Sequence, residues 1–253
     1  MCVLAFAWRA HPRWPLVVAG NRDELHARPT EPLARWHQPA HVLAGRDLQS
    51  GGSWLGVSEQ GRFALVTNLR GYGGPDPERV SRGALVKDAL SGERRDPDLP
   101  GTTLEEFNPF NLIVVDRGKA VFSSNRPEPV RSPLAPGVYG LSNGALDEPW
   151  PKTVRLKQRL LEWIAGAATQ PELLLDDLRD ESLPDPGTRA PLPSDVPQEP
   201  PLSPIFIRNP IYGTRCSTVV AVDDRGQGLI IERRYSPAGE NAGETALAFS
   251  WPG

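Results

Sequence analysis

The sequence holds few of the residues that build cross-linked or metal-held folds: two cysteines and one methionine in 253 residues. Two thiols make neither a disulfide scaffold nor a Cys-rich zinc site. No apolar run approaches the roughly 18 residues that a membrane helix needs, and mean hydropathy is −0.38. The opening stretch, Met1 to Ala7, has no basic leader and only a short apolar run, so no signal peptide is read and a cytoplasmic location is expected. An excess of positive charge is missing as well. A net charge of −3 and an isoelectric point near 5.9 argue against a nucleic-acid partner. Nor is there a phosphate-cradling GxxxxGK, a dinucleotide fingerprint or a nucleophile-elbow serine.

What is present is ordinary globular composition, 39% hydrophobic and 23% charged. Its periodicity is mostly strand-like. Runs at Cys2–Trp8 and Trp14–Ala19, joined by residues 9–13, predict a hairpin. Further strands are expected at Trp54–Val57, Phe63–Thr67, Phe110–Val115, Ala120–Phe122 and Val138–Leu141, then Ser217–Val222, Leu229–Glu232 and Ala246–Ser250. Residues 223–226, Asp-Asp-Arg-Gly, form a hairpin turn signal. Helices are expected from an N-cap at Ser81 to near Leu90, over Trp150–Ala165, and over Pro171–Leu178. Strands, a helical middle, then strands indicate an α+β fold. Residues 181–204 carry eight prolines in 24 positions, which predicts an extended surface loop rather than a boundary within a single domain spanning 1–253.

Cys2 carries the chemistry most directly. Met1 is generally removed when the second residue is small, which would place a thiol and a free α-amine on one residue. The amine then serves as general base for its own thiol. The plain alternative is a small hydrophobe at a strand start. Asn21, Arg22, Asp23 and Glu24 follow the second predicted strand. If the first hairpin pairs, Asp23 reaches the Cys2 ammonium and Arg22 lowers the thiol pKa; otherwise the cluster is a solvated turn. Asn68 and Asn143, at strand ends, are of the type that donates to an oxyanion, and also of the type that makes turns. Arg215 places a cation at the same sheet end, with Cys216 beside it in packing. All four histidines, His11, His26, His37 and His41, lie early. The i, i+4 pair His37 and His41 suits a metal only on a helix, and Pro39 interrupts the segment, so no metal is expected.

Asn21-Arg22-Asp23-Glu24 with Arg28-Pro29 resembles the signature of the NRDE (transport and Golgi organisation protein 2-like) family. The similarity continues through Gly51-Gly52-Ser53-Trp54-Leu55-Gly56, Thr67-Asn68, Arg82-Gly83, Phe110-Asn111-Leu112, residues 139–143, Pro149-Trp150 and residues 212–215. The resemblance implies an N-terminal-nucleophile hydrolase-like αββα sandwich of mainly antiparallel sheets. More distantly, the pattern is similar to choloylglycine hydrolases, which cleave non-peptide amides. Carried over by position, Cys2 is the nucleophile and Asp23 holds its amine. Arg22 corresponds loosely to a neighbouring arginine, Asn68 and Asn143 to the oxyanion hole, and Arg215 to an arginine near the nucleophile. Glu24 has no counterpart and would brace Arg22. The implied activity is hydrolysis of a carbon–nitrogen amide bond in a small acylated molecule, with no cofactor required. The resemblance also implies an alternative, a non-catalytic haem or acyl-coenzyme A/lipid carrier using the same pocket.

Overall fold

A computed structural model describes residues 2–92, 104–116, 118–166, 168–185, 195, 198 and 202–252. The predicted proline-rich loop at 181–204 lies largely outside the described residues. The first sheet contains β1 (Cys2–Trp8), β2 (Leu16–Leu25), β10 (Gly137–Leu141), β11 (Tyr212–Val222), β12 (Gln227–Tyr235) and β13 (Asn241–Ser250), in the order β10-β1-β2-β11-β12-β13. The second contains β3 (Thr30–Arg35), β4 (Val42–Asp47), β5 (Leu55–Ser58), β6 (Arg62–Asn68), β7 (Phe110–Asp116), β8 (Lys119–Ser124) and β9 (Val130–Pro133), in sequential order. Every ladder is antiparallel.

Side-chain alternation sorts the strands into layers. Leu4, Phe6, Leu16 and Val18 of the first sheet meet Leu55, Val57, Phe63, Leu65 and Ile113 of the second. The intervening residues Val3, Ala5, Val17 and Ala19 face away, under Leu156 and Leu160 of α2 (Pro151–Ala165) and Leu174 and Leu178 at α3 (Leu174–Asp177). The outer face of the second sheet, with Val42, Ala44, Ala64 and Leu112, takes Leu85, Val86 and Leu90 of α1 (Arg82–Ser91). The layers are therefore α, β, β, α. Strands β1 and β2 are buried on both faces, which is why they read as continuous apolar runs.

Local chemistry sets the helix ends. The Ser81 hydroxyl accepts from the Gly83 N–H, and Gly92 closes α1 in the left-handed region. On α2, Leu156 and Leu160 face the core, whereas Val154 and Leu161 are exposed. The helix expected over Pro171–Leu178 is a 3-10 turn followed by a single α-turn.

Two strand boundaries differ from expectation. The second strand continues to Leu25 rather than ending at Ala19, so Asn21 to Glu24 are strand residues and not a turn. The strand expected from Ser217 begins at Tyr212, so Arg215 lies within it, at a bulge between Thr214 and Cys216. Strands β3, β4 and β9, short and partly polar, escape the hydrophobic pattern.

Candidate active site

Strand β2 lies between β1 and β11, so its backbone is paired on both sides and its polar side chains are buried: Asn21 is 3% exposed, Arg22 6% and Asp23 2%. Such burial requires partners, and each has them. The Asn21 amide donates to the carbonyls of Leu178 and Ile205 and accepts from the Ser217 hydroxyl. Asp23 accepts from the Thr214 hydroxyl at 2.6 Å. The Arg22 guanidinium lies 4.4 Å from the Trp54 ring centroid, 3.6 Å from Asp47 and 3.9 Å from Glu24. Gly45 makes this possible, because a Cβ there would overlap the Trp54 indole. Glu24 is also 3.9 Å from Arg28, which binds Asp47 at 2.6 Å.

Cys2 pairs directly with Arg22 across the β1–β2 ladder, so both side chains point toward the second sheet. By alternation Asp23 points to the helical side, where its carboxylate accepts from Thr214. Burial pushes the Cys2 thiol above its ordinary pKa. The chain's N-terminal charge pulls it down, the Asp23 carboxylate raises it, and the Asp23 backbone and Arg22 lower it again. The expected lowering by Arg22 is present in direction, but burial outweighs it.

A hydrogen-bonded knot joins Cys2 to both asparagines. The Cys2 backbone N–H donates to Asn143 Oδ1 at 3.2 Å, and Asn143 Nδ2 donates to the Asn68 carbonyl at 2.7 Å. The Ser142 hydroxyl donates to the Cys2 carbonyl at 2.6 Å, and the Arg70 N–H donates to the Asn143 carbonyl at 2.8 Å. Three strand ends, from β1, β6 and β10, are thereby tied together. The second hydrogen on Asn143 Nδ2 is the one available to an incoming acceptor.

Two openings flank this knot. Cys2 lines a narrow slot of about 20 Å³ between the sheets, with Arg22, Trp54, Leu65 and Thr67 among its walls. A larger cavity of about 380 Å³ is lined by Asn68 and Asn143, with Glu24, Arg28, Arg82 and Asn108. Arg215 does not join the asparagines. It donates to the Leu25 and Arg28 carbonyls and lines a separate pocket of about 200 Å³ with Arg22, Trp54 and Glu232. Burial, and then Arg22, hold its pKa below the ordinary value. Cys216 is buried and its thiol is pushed well up, by burial and then by Glu232. Among the described residues no group of three or more His, Cys, Asp or Glu could hold a metal. His26 lies beside the Asn209 carbonyl, and Gln60 contacts His41.

Sequence reasoning assigned no role to Trp54, Asp47, Ser142, Thr214 or Arg82. All but Asp47 stand inside the quoted motifs, Trp54 and Arg82 among them. Their link is backbone contact: a Cβ on Gly52 would strike the Gly83 backbone, and the Ser53 N–H donates to the Gly83 carbonyl at 3.3 Å. Two glycines let α1 begin against the β4–β5 connection, which brings Arg82 to the cavity.

Two face-to-face antiparallel sheets between helical layers form an αββα sandwich, an N-terminal-nucleophile hydrolase-like fold. Two variants of the conjugated bile acid hydrolase from Clostridium perfringens share it, with TM-scores of 0.54 and 0.51 at 11% and 12% identity. Both likenesses cover 98% of this chain and 92% of the other. At that identity they speak for the fold alone. The family model "Transport and Golgi organisation 2" matches residues 1–237. The human Transport and Golgi organization protein 2 homolog is 34% identical over 258 residues, covering 92% of each chain. The Drosophila melanogaster Transport and Golgi organization protein 2 is 28% identical over 272 residues, covering 95% of each. The chain belongs to the Transport and Golgi organisation 2 family. Among the described residues, no helix is long and apolar enough to cross a membrane.

Proposed function

We propose that this protein is a cysteine hydrolase that cleaves a non-peptide amide bond of a small acylated molecule once Met1 has been removed. The observation that carries this reading is the knot in which the Cys2 nitrogen meets Asn143 Oδ1 while Asn143 Nδ2 is fixed on the Asn68 carbonyl. With Met1 gone, that nitrogen becomes a free amine held beside its own sulfur. The amine takes the thiol proton, and Sγ attacks the amide carbonyl carbon to form a C–S bond. The remaining Asn143 Nδ2 hydrogen donates to the oxyanion, and Asn68 keeps that amide oriented. The Cys2 ammonium returns the proton to the leaving nitrogen as the C–N bond breaks. Water then attacks the thioester, releasing the acid and restoring the thiol. Arg22 offsets charge on the sulfur while Trp54 and Asp47 hold it in place.

The test is intact-mass analysis of Met1-free protein incubated with a panel of N-octanoyl amides. An octanoyl thioester on Cys2 and released octanoate, both lost in Cys2→Ala, are expected. Hydrolysis that survives Cys2→Ala would refute the reading.

One observation favours a second reading, a non-catalytic acyl-coenzyme A or lipid carrier. The larger cavity lies beside the knot rather than on the Cys2 side chain, and burial raises the thiol pKa. Haem fits this cavity poorly, because its described lining holds no His, Cys, Met or Tyr to ligate iron. A carrier tolerates Cys2→Ala with unchanged ligand binding; the hydrolase loses turnover.

A further inference from the structure

The larger cavity is walled by guanidiniums, and their pairing separates one from the rest. Arg28 is bound by Asp47 at 2.6 Å, and Arg79 lies 3.4 Å from Asp76. Arg70 stacks over Trp150 with 4.9 Å to the ring centroid. Arg82 is partly buried, and its hydrogen bond among the described residues goes to a neutral acceptor, the Pro109 carbonyl, at 3.1 Å. No carboxylate among the described residues lies within ion-pairing distance of it. Burial lowers its pKa to about 10, opposed in part by the charges of Glu24 and Cys2, with Arg28 lowering it further. A cation in that position is undercompensated, and a ligand oxyanion would supply what the protein does not. The chain itself shows that a carboxylate can reach this cavity, since Asp195 lines it and accepts from the Gly71 N–H at 2.9 Å.

Resting on the hydrolase reading of the same site, we propose that Arg82 is a specificity-determining residue that receives an anionic group, a carboxylate or a phosphate, carried by the substrate. The geometry behind this is the Gly52–Gly83 contact, which seats the first turn of α1 against the cavity wall. Asn143 lines the same cavity as Arg82. The substrate class is therefore an amide that also carries a negatively charged group. An uncharged acyl amide of equal length would leave Arg82 with its neutral acceptor, the Pro109 carbonyl, and no counter-charge from the ligand.

Calorimetric titration of Met1-free protein tests this, with N-octanoylglycine, N-octanoylethanolamine and octyl phosphate as probes. The expected result is that at least one anionic probe binds about tenfold or more tightly than the neutral amide, the size of one charge-assisted hydrogen bond. Which anion wins distinguishes carboxylate from phosphate. Arg82→Gln is expected to bring the charged-to-neutral ratio close to one, and Arg82→Lys to restore part of it. A general loss of structure in Arg82→Gln would weaken both probe types equally and would not be rescued by charge. Equal binding of charged and neutral probes by the wild-type protein, no binding of any anionic probe, or a preference that survives Arg82→Gln overturns the proposal. Cleavage is read separately: anion preference without cleavage sinks the hydrolase reading alone, and cleavage without anion preference sinks the role of Arg82 alone.

Discussion

Replacing Asn143 with alanine tests the knot through stability and catalysis at once. Asn143 is 3% exposed and accepts from the Cys2 N–H while donating to the Asn68 carbonyl. Alanine removes both bonds and leaves two backbone groups without these partners at a part-buried site. Each orphaned group costs about 1–3 kcal/mol, so the summed loss should be roughly 2–6 kcal/mol. For a chain of this length each kcal/mol lowers Tm by about 2–4 °C, which places the expected drop at roughly 4–24 °C by thermal unfolding. Turnover of whichever amide is cleaved should fall about 10²–10³-fold, as when one oxyanion donor is lost. Asn143→Asp separates the effects. It retains an acceptor for the Cys2 nitrogen but has no Nδ2 donor, so it should recover more stability than activity. A Tm within about 1 °C of wild type in Asn143→Ala would refute the knot.

Gly52→Ala should destabilise by about 1–3 kcal/mol, because its Cβ meets the Gly83 backbone and one chain segment must shift; chemical denaturation reads this, and an unchanged midpoint would contradict the contact. Followed against pH by intact mass, native alkylation should label Cys2 and spare Cys216, which is buried with its pKa well up. The Cys2 midpoint should lie above the ordinary ~8.5 while Met1 is retained, because burial dominates. It should fall on Met1 removal and rise further in Arg22→Ala. For Asp47, burial raises the carboxyl pKa, but hydrogen bonds from Arg28 and Ser50 and the charge of Arg22 leave it net below the ordinary value. Its stabilisation is therefore complete above the unfolded carboxylate pKa and is lost as pH falls through the folded one. Asp47→Asn should lower stability at neutral pH and flatten the acid limb of the stability–pH curve; an unaltered acid limb would show that Asp47 is not ion-paired.

Much of the architecture could be read from apolar runs because strands buried on both faces announce themselves as such. The hairpin of Cys2–Trp8 with the next strand, the turn at 223–226 and the Ser81 cap depend on neighbours in sequence, and they stand in the structure as expected. The same logic misplaced Asn21 to Glu24. The predicted strand stops at Ala19 and leaves the cluster open between a site beside Cys2 and a solvated turn, since hydrophobic periodicity cannot register a polar residue satisfied by a distant partner. Arg215 was set before its strand for the same reason, and a bulge cannot be foreseen from composition.

The site divides along that line. Sequence alone singled out Cys2, the polar run after it and the asparagines at strand ends, because residue type and position carry their chemistry. Only the tertiary structure decided that Asp47 and Trp54, from the second sheet, hold Arg22, and that Asn143 lies between Cys2 and Asn68. It also decided that Arg215 faces a different pocket and that Arg82 reaches the cavity through a glycine–glycine contact 31 residues apart in the chain. These are contacts between elements remote in sequence. Pair geometry, and not local pattern, determines whether a buried charge is neutralised or left for a ligand.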